Sequence, residues 1–165
     1  MAVHEHHKHD RTQVRVGIIT LSDTRTPDTD ESGRVIRDLV ERAGHQVVHY
    51  EIVPDTPELI ERAIVNGIEL AGALILSGGT GIAPRDCTIE VVRPMLETEL
   101  EGFGELFRML SYQEIGPAAF LSRALAGVVK GKLVVALPGS PTACRLALEK
   151  LLLPELGHMA QLLNL

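Results

Sequence analysis

The sequence predicts a single α/β domain built on a mainly parallel sheet, with helices over both faces. Two observations lead there. Runs at residues 14–21 (VRVGIITL), 72–77 (GALILS) and 132–137 (KLVVAL) are apolar without alternation, as strands buried on both faces are. Stretches with helical spacing stand between them. The chain has 165 residues, the length of one domain, and needs no disulfide or metal staple to hold a core.

The elements follow in order. Residues 1–13 are polar and His-rich (His4, His6, His7, His9) and are expected to be a disordered tail, with the domain over residues 14–165. The first strand, 14–21, ends in a loop rich in Asp, Thr and Pro. A helix over 32–43 places Val35, Ile36, Leu39, Val40 and Ala43 on one side and stops at Gly44. A second strand covers 46–53, and Pro54-Asp55 turns the chain. Thr56 is expected to cap a helix with Pro57 at its first position, running to about Leu70. The third strand, 72–77, enters Gly78-Gly79-Thr80-Gly81. A helix over 88–97 is expected with Thr88 as cap. Two short helices fill 103–123, split at Gly116-Pro117. The fourth strand, 132–137, leads through Pro138-Gly139 to a helix capped by Ser140 with Pro141 first, and Pro154 restarts or kinks the last helix.

Composition narrows the function. Net charge is −6 and aromatics are 3% of residues, which argues against nucleic-acid binding, since there is neither a basic stripe nor a stacking platform. No apolar run is long enough for a bilayer, and the polar opening shows no leader, so a cytoplasmic protein without membrane partners is expected. Cys87 and Cys144 form neither a C-x-x-C nor a zinc spacing and read as free thiols of a reducing compartment.

In parallel sheets, ligands sit beyond the carboxyl ends of the strands. Ser22-Asp23, Pro54-Asp55, the glycine loop from Ser77 to Gly81, and Pro138-Gly139-Ser140 stand there. Gly78, Gly79 and Gly81 permit positive φ and close backbone approach, and successive N–H groups can form a nest for a phosphate. The same sequence also suits a tight strand-to-helix turn with no ligand. Gly79-Thr80-Gly81-Ile82-Ala83-Pro84 ends in Pro where the dinucleotide fingerprint needs Gly or Ala. The run from Gly127 to Leu133 lacks the spacing and final Ser/Thr of a Walker loop. Asp55 and Asp86 would meet at the same sheet edge. Carboxylates beside a phosphate repel it unless a cation intervenes, and Mg²⁺ commonly takes one or two carboxylates plus phosphate oxygens. Either Asp can equally be a turn residue. Arg85, Arg123 and Arg145 are further candidates for phosphate contacts.

The ordered set Thr20-Leu21-Ser22-Asp23, Asp30-Glu31-Ser32-Gly33, Ser77-Gly78-Gly79-Thr80-Gly81, Arg85-Asp86, Gly102-Phe103-Gly104-Glu105-Leu106-Phe107-Arg108, Leu121-Ser122-Arg123-Ala124 and Leu137-Pro138-Gly139-Ser140 closely resembles the MoaB/MogA family of molybdenum-cofactor biosynthesis proteins. The likeness covers residues 14–157, and residues 101–116 resemble the MoaB branch. It implies a three-layer α/β/α molybdopterin-binding domain, usually a homotrimer and sometimes a dimer of trimers. It also implies adenylylation of molybdopterin by MgATP, giving pyrophosphate and an acceptor for the pathway's molybdate-inserting enzyme, a candidate partner. By the same resemblance Asp55 and Asp86 handle Mg²⁺ and ATP, and Gly78 to Gly81 form the anion loop. Ser22, Asp23, Ser122, Gly139 and Ser140 match ligand-site positions, and Ser77, Thr80 and Pro138 belong to the same motifs. Cys87 departs from a frequent Val. Some MoaB-branch members lack both aspartates, whereas this chain keeps them, so adenylyl transfer is expected. A non-catalytic molybdopterin carrier or scaffold, or a generic α/β nucleotide binder, is the alternative.

Overall fold

The computed structural model describes residues 12–165. The tail expected over residues 1–13 therefore lies outside the described residues up to position 11. Thr12 accepts from Gln161 Nε2 at 3.4 Å, and Gln13 Nε2 donates to the Gly44 carbonyl at 3.2 Å.

Apolar side chains on both faces of the strands dictate three layers. β1 (Arg15–Leu21) leads to α1 (Glu31–Arg42), β2 (Gln46–Val53), α2 (Pro57–Leu70), β3 (Ala73–Ser77) and α3 (Thr88–Met95). Then come β4 (Thr98–Glu99), α4 (Glu101–Ile115), a 3₁₀ segment Gly116–Leu121, β5 (Leu125–Val129) and β6 (Lys132–Leu137). α5 (Pro141–Ala147), a π-helical turn Leu148–Leu152 and α6 (Leu153–Leu163) close the chain. Within β1, Val16 and Ile18 enter one core with Ile36 and Val40 of α1, Phe107 of α4 and Leu156 of α6. Ile19 and Leu21 enter the other, with Ile60 and Ile64 of α2 and Val92 of α3. The strand is buried on both sides because each face has its own helix layer.

The sheet order is β2-β1-β3-β6-β5-β4. β1 pairs in parallel with β2 and β3, and β3 pairs in parallel with β6, so four strands end on one edge. The chain winds outward from β1 to β2, then back past β1 to β3. The switch point lies between β1 and β3.

The sequence reading finds these four parallel strands and misses two antiparallel ones, β4 and β5. β5 and β6 form a hairpin whose turn residues Lys130 and Gly131 have φ of 47° and 73°. Positive φ at both positions is what a tight hairpin joining twisted strands requires. The stretch that superficially resembled a Walker loop is this turn. Thr88 is not a cap: Cys87 holds that position without a side-chain bond, and the Thr88 hydroxyl instead donates to the Gly78 carbonyl at 2.8 Å. Thr56 occupies the cap position of α2 but makes no capping bond, whereas Ser140 caps α5 by accepting from the Ala143 N–H. Among the described residues no helix is long and apolar enough to cross a membrane.

Where β2 begins, the neutral His45 ring accepts the Val14 N–H through Nδ1 at 3.1 Å, and partial burial lowers its pKa. The unfolded chain therefore takes up this proton more readily than the folded one. The contribution of His45 is complete above about pH 6.5 and is lost as pH falls below that value. Thermal melts of the wild type and His45→Gln from pH 8 to 5 should show a Tm gap that closes on acidification.

Candidate functional site

Gly78 is where the ends of three strands converge. Its N–H donates to the Leu137 carbonyl of β6 at 2.9 Å, its carbonyl accepts the Thr88 hydroxyl, and its φ is 111°. A Cβ there would fall on the Leu21 carbonyl oxygen of β1. Only glycine lets β3 turn this close to β1. Gly79 also has positive φ, 65°, and a Cβ on it would meet the Thr88 hydroxyl and lie 3.3 Å from Asp55 Oδ1. The loop bends so that Asp55, arriving from β2, faces its backbone.

Asp55 is half-buried. Its backbone N–H donates to Asp23 Oδ1 at 3.0 Å, which ties the loops after β1 and β2 together. Its own Oδ1 is buried with no hydrogen-bond partner. Burial raises its pKa, and the Asp23 and Asp86 charges push the same way while Arg85 opposes them. A buried carboxylate oxygen without a donor calls for a proton or a cation. Asp86 Oδ2 accepts the Ala83 N–H at 2.9 Å and would stand 2.8 Å from a Cβ on Gly81. Asp86 is thus both a turn-forming residue and a carboxylate at the rim of the loop. Among the described residues no group of three or more His, Cys, Asp or Glu could hold a metal by itself. A cation here would draw most of its ligands from a phosphate substrate and water, as Mg²⁺ does.

A cavity of about 360 Å³ opens beside this loop. Thr80, Asp86, Ser122 and Ser140 supply polar wall, and Phe107 and Leu146 supply apolar wall. Ser122 thus joins the strand-end loops through the 3₁₀ segment of a different layer. Ser77, Ser22 and Gly139 line a smaller cavity on the other side of Gly78, toward β1. Pro138 and Gly139 lie on the wall of the large cavity, and Gly139 is common to both. Asp23 and Asp55 line neither.

Two of the three candidate arginines are engaged by other groups of the protein. Arg123 donates from Nε and Nη2 to the Gly81 carbonyl at 2.9 and 2.6 Å, and its backbone N–H donates to the Thr80 carbonyl at 3.0 Å. Nη2 also reaches the Asp86 carbonyl, and Glu90 pairs with the guanidinium. Arg123 therefore holds the back of the glycine loop and has no free fork for a phosphate. Arg145 pairs with Glu149 one turn along at 3.1 Å. Arg85 faces Asp55.

Sequence reasoning also missed a buried network. Asp30 is 2% exposed and caps α1, its Oδ1 accepting the Gly33 N–H at 2.9 Å. Its Oδ2 accepts the hydroxyls of Thr20 and Tyr50, each at 2.6 Å. Ser32 on the first turn donates to the Gly139 carbonyl at 2.6 Å. An Asp three residues before a helical Gly is a legible cap signal; the contribution of Tyr50 from another strand has no local signature. Burial beside Asp30 pushes the Cys144 thiol up to about 12, so that cysteine is an inert core residue.

A family model described as "Probable molybdopterin binding domain" matches residues 17–158. The "Molybdenum cofactor biosynthesis protein B" of Bacillus cereus is 50% identical over 162 residues, which covers 96% of this chain and 96% of that protein. A solved structure described as "Crystal structure of Molybdenum cofactor biosynthesis protein B" has a TM-score of 0.91 at 50% identity, over 93% of this chain and 98% of the other. The tungsten cofactor synthesizing protein MoaB from Pyrococcus furiosus has a TM-score of 0.84 at 34% identity, over 93% of this chain and 99% of that one.

Removing the guanidinium behind the loop strands the Gly81 carbonyl. Arg123→Ala should lower the unfolding free energy by about 1–3 kcal/mol in urea titrations. Arg123→Lys should recover only part of it, because an ammonium lacks the planar fork.

Proposed function

This chain belongs to the molybdopterin-binding domain family, on its MoaB branch, and from that membership we propose that it binds molybdopterin and adenylylates it with MgATP. A role in molybdenum cofactor biosynthesis rests on relatives at about half identity. The adenylylation step rests above all on one observation: Asp55 brings a partnerless buried carboxylate oxygen against the glycine loop. A protein that only carried the pterin would have no use for carboxylates beside a phosphate cradle.

In the proposed reaction an oxygen of the molybdopterin phosphate attacks the α-phosphorus of ATP. The new P–O bond forms as the bond from that phosphorus to the oxygen bridging the β-phosphate breaks, and pyrophosphate leaves with the electron pair. Mg²⁺ entering with the nucleotide supplies the positive charge that polyphosphate and carboxylates otherwise lack. Asp55 and Asp86 hold that cation at the loop. The backbone from Gly78 to Gly81 and the Thr80 residue cradle phosphate oxygens. Ser22, Ser77, Ser122, Pro138, Gly139 and Ser140 complete the walls for nucleotide and pterin, and Asp23 holds the Asp55 backbone in place beside them.

Assembly belongs to the same proposal. Leu106, Met109, Tyr112 and Ile115 recur every three residues on α4 and are 47%, 53%, 60% and 59% exposed. An apolar row this exposed marks a protein contact, and a homotrimer, or a hexamer of two trimers, would cover it. The adenylylated product is a substrate for molybdate insertion, so contact with the inserting enzyme is part of the reading.

Three outcomes follow. With molybdopterin and MgATP the protein should release pyrophosphate and form the adenylylated pterin, and Asp86→Asn should abolish turnover while retaining pterin binding; bound pterin without product would leave the carrier reading. MgATP affinity should weaken on acidification from a pH above the usual carboxylate range, because the raised pKa of Asp55 must be crossed before the cation-binding form is lost. Met109→Lys should shift the sedimentation coefficient toward the monomer.

A further inference from the structure

The large cavity has a wall that the strand-end loops do not supply. Phe107, Ser111, Glu114 and Ile115 line it from α4, and their spacing puts them on one face of that helix. Phe107 is buried, whereas Glu114 and Ile115 stand on the exposed last turn. Ala119 and Leu146 add buried apolar surface.

Ser111 is the anomaly. A serine inside a helix commonly donates to the carbonyl four residues earlier. Ser111 is 6% exposed, yet no hydrogen bond joins its hydroxyl to another described residue. A buried hydroxyl without a partner at a cavity wall points to a missing ligand atom. Glu114 lies three residues on, the spacing of neighbours on a helix surface. Its carboxylate has no ion pair and no hydrogen bond among the described residues. A charged acceptor and a hydroxyl thus border a largely apolar space.

That set selects among ring systems. A carboxylate only accepts, and it takes two N–H groups side by side. Pterin presents such a pair, its 2-amino group and N3–H, followed in line by the 4-oxo acceptor. Glu114 suits the pair, and the Ser111 hydroxyl suits the oxo group. Adenine sets its amino group next to the N1 lone pair, which would face the second carboxylate oxygen and be repelled. Guanine shares the pterin edge. Phe107, Ala119 and Leu146 offer apolar surface to the faces of a flat ring.

We propose that Glu114 and Ser111 are specificity residues that read the 2-amino-4-oxo edge of the acceptor's pterin and keep adenine out of this place. The identity of the acceptor rests on the adenylyl-transfer reading; the recognition of the edge does not. Glu114→Gln would turn one of the two acceptors into a donor. Lumazine, which carries an oxo group where pterin has the 2-amino group, would then match the site as pterin did before.

Calorimetric titration of the full chain with pterin, lumazine, guanosine and MgATP tests this. The wild type should bind pterin about tenfold more tightly than lumazine, and Glu114→Gln should reverse that order. Ser111→Ala should weaken both pteridines by about threefold or more, and both variants should keep MgATP affinity within about twofold. No pterin binding, an unchanged pterin-to-lumazine ratio in Glu114→Gln, guanosine bound as tightly as pterin, or a parallel loss of MgATP would overturn the proposal. A reversed preference, in a protein that releases no pyrophosphate from molybdopterin and MgATP, would sink adenylyl transfer and leave the edge recognition standing. Pyrophosphate release with the acceptor KM unchanged in both variants would do the opposite.

Discussion

Everything at the working edge of this sheet depends on one close approach: the backbone of Gly78 against the carbonyl of Leu21. Three strand ends meet there, and the meeting leaves no space for a side chain. Because β1 and β3 end within touching distance, the loop after β1 and the loop after β3 become walls of the same clefts. Because Gly78 also donates to Leu137, the loop after β6 joins them. The large cavity and the small one both open near this pinch and share Gly139. A bulkier residue there would separate the strands and dissolve both.

The charges are arranged around the same pinch. Asp23, Asp55 and Asp86 gather on the outer loops, and the arginine nearest the glycine loop turns its fork into carbonyls. The protein carries a net charge of −6, and the anion cradle proposed for it consists of backbone amides and hydroxyls. Such a site relies on a partner cation for charge and on geometry for selectivity. The hydrogen bonds of Arg123 serve the geometry. They fix the Thr80 and Gly81 carbonyls of the loop from behind.

Much of this was legible in the sequence. The four parallel strands declare themselves by continuous apolar runs, and the strand-end loops by glycine, proline and aspartate just beyond them. The α5 cap reads directly from Ser140-Pro141. β5 was not legible, because LAGVV is short and its glycine dilutes the strand signal; only its pairing with β6 makes it a strand. β4, with two residues, has no signal at all. Thr88 misled because Thr ahead of an apolar stretch looks like a cap, while its hydroxyl is claimed by a carbonyl ten residues earlier. The fixed loops around Asp30 and Arg123 draw on partners 10 to 43 positions away, beyond the reach of a local pattern.

The two rims of the sheet are unlike. One ends in β4, two residues long and too short to template another strand. The other ends in β2, eight residues with no further strand beside it among the described residues. On that side His49 and Glu51 point to one face and bond at 3.0 Å, which puts polar, ionisable groups where a docking strand would need an apolar one. A strand docking beside β2 would have to bring that ionisable pair with it into the extended sheet, a desolvation cost that a plain apolar rim would not impose.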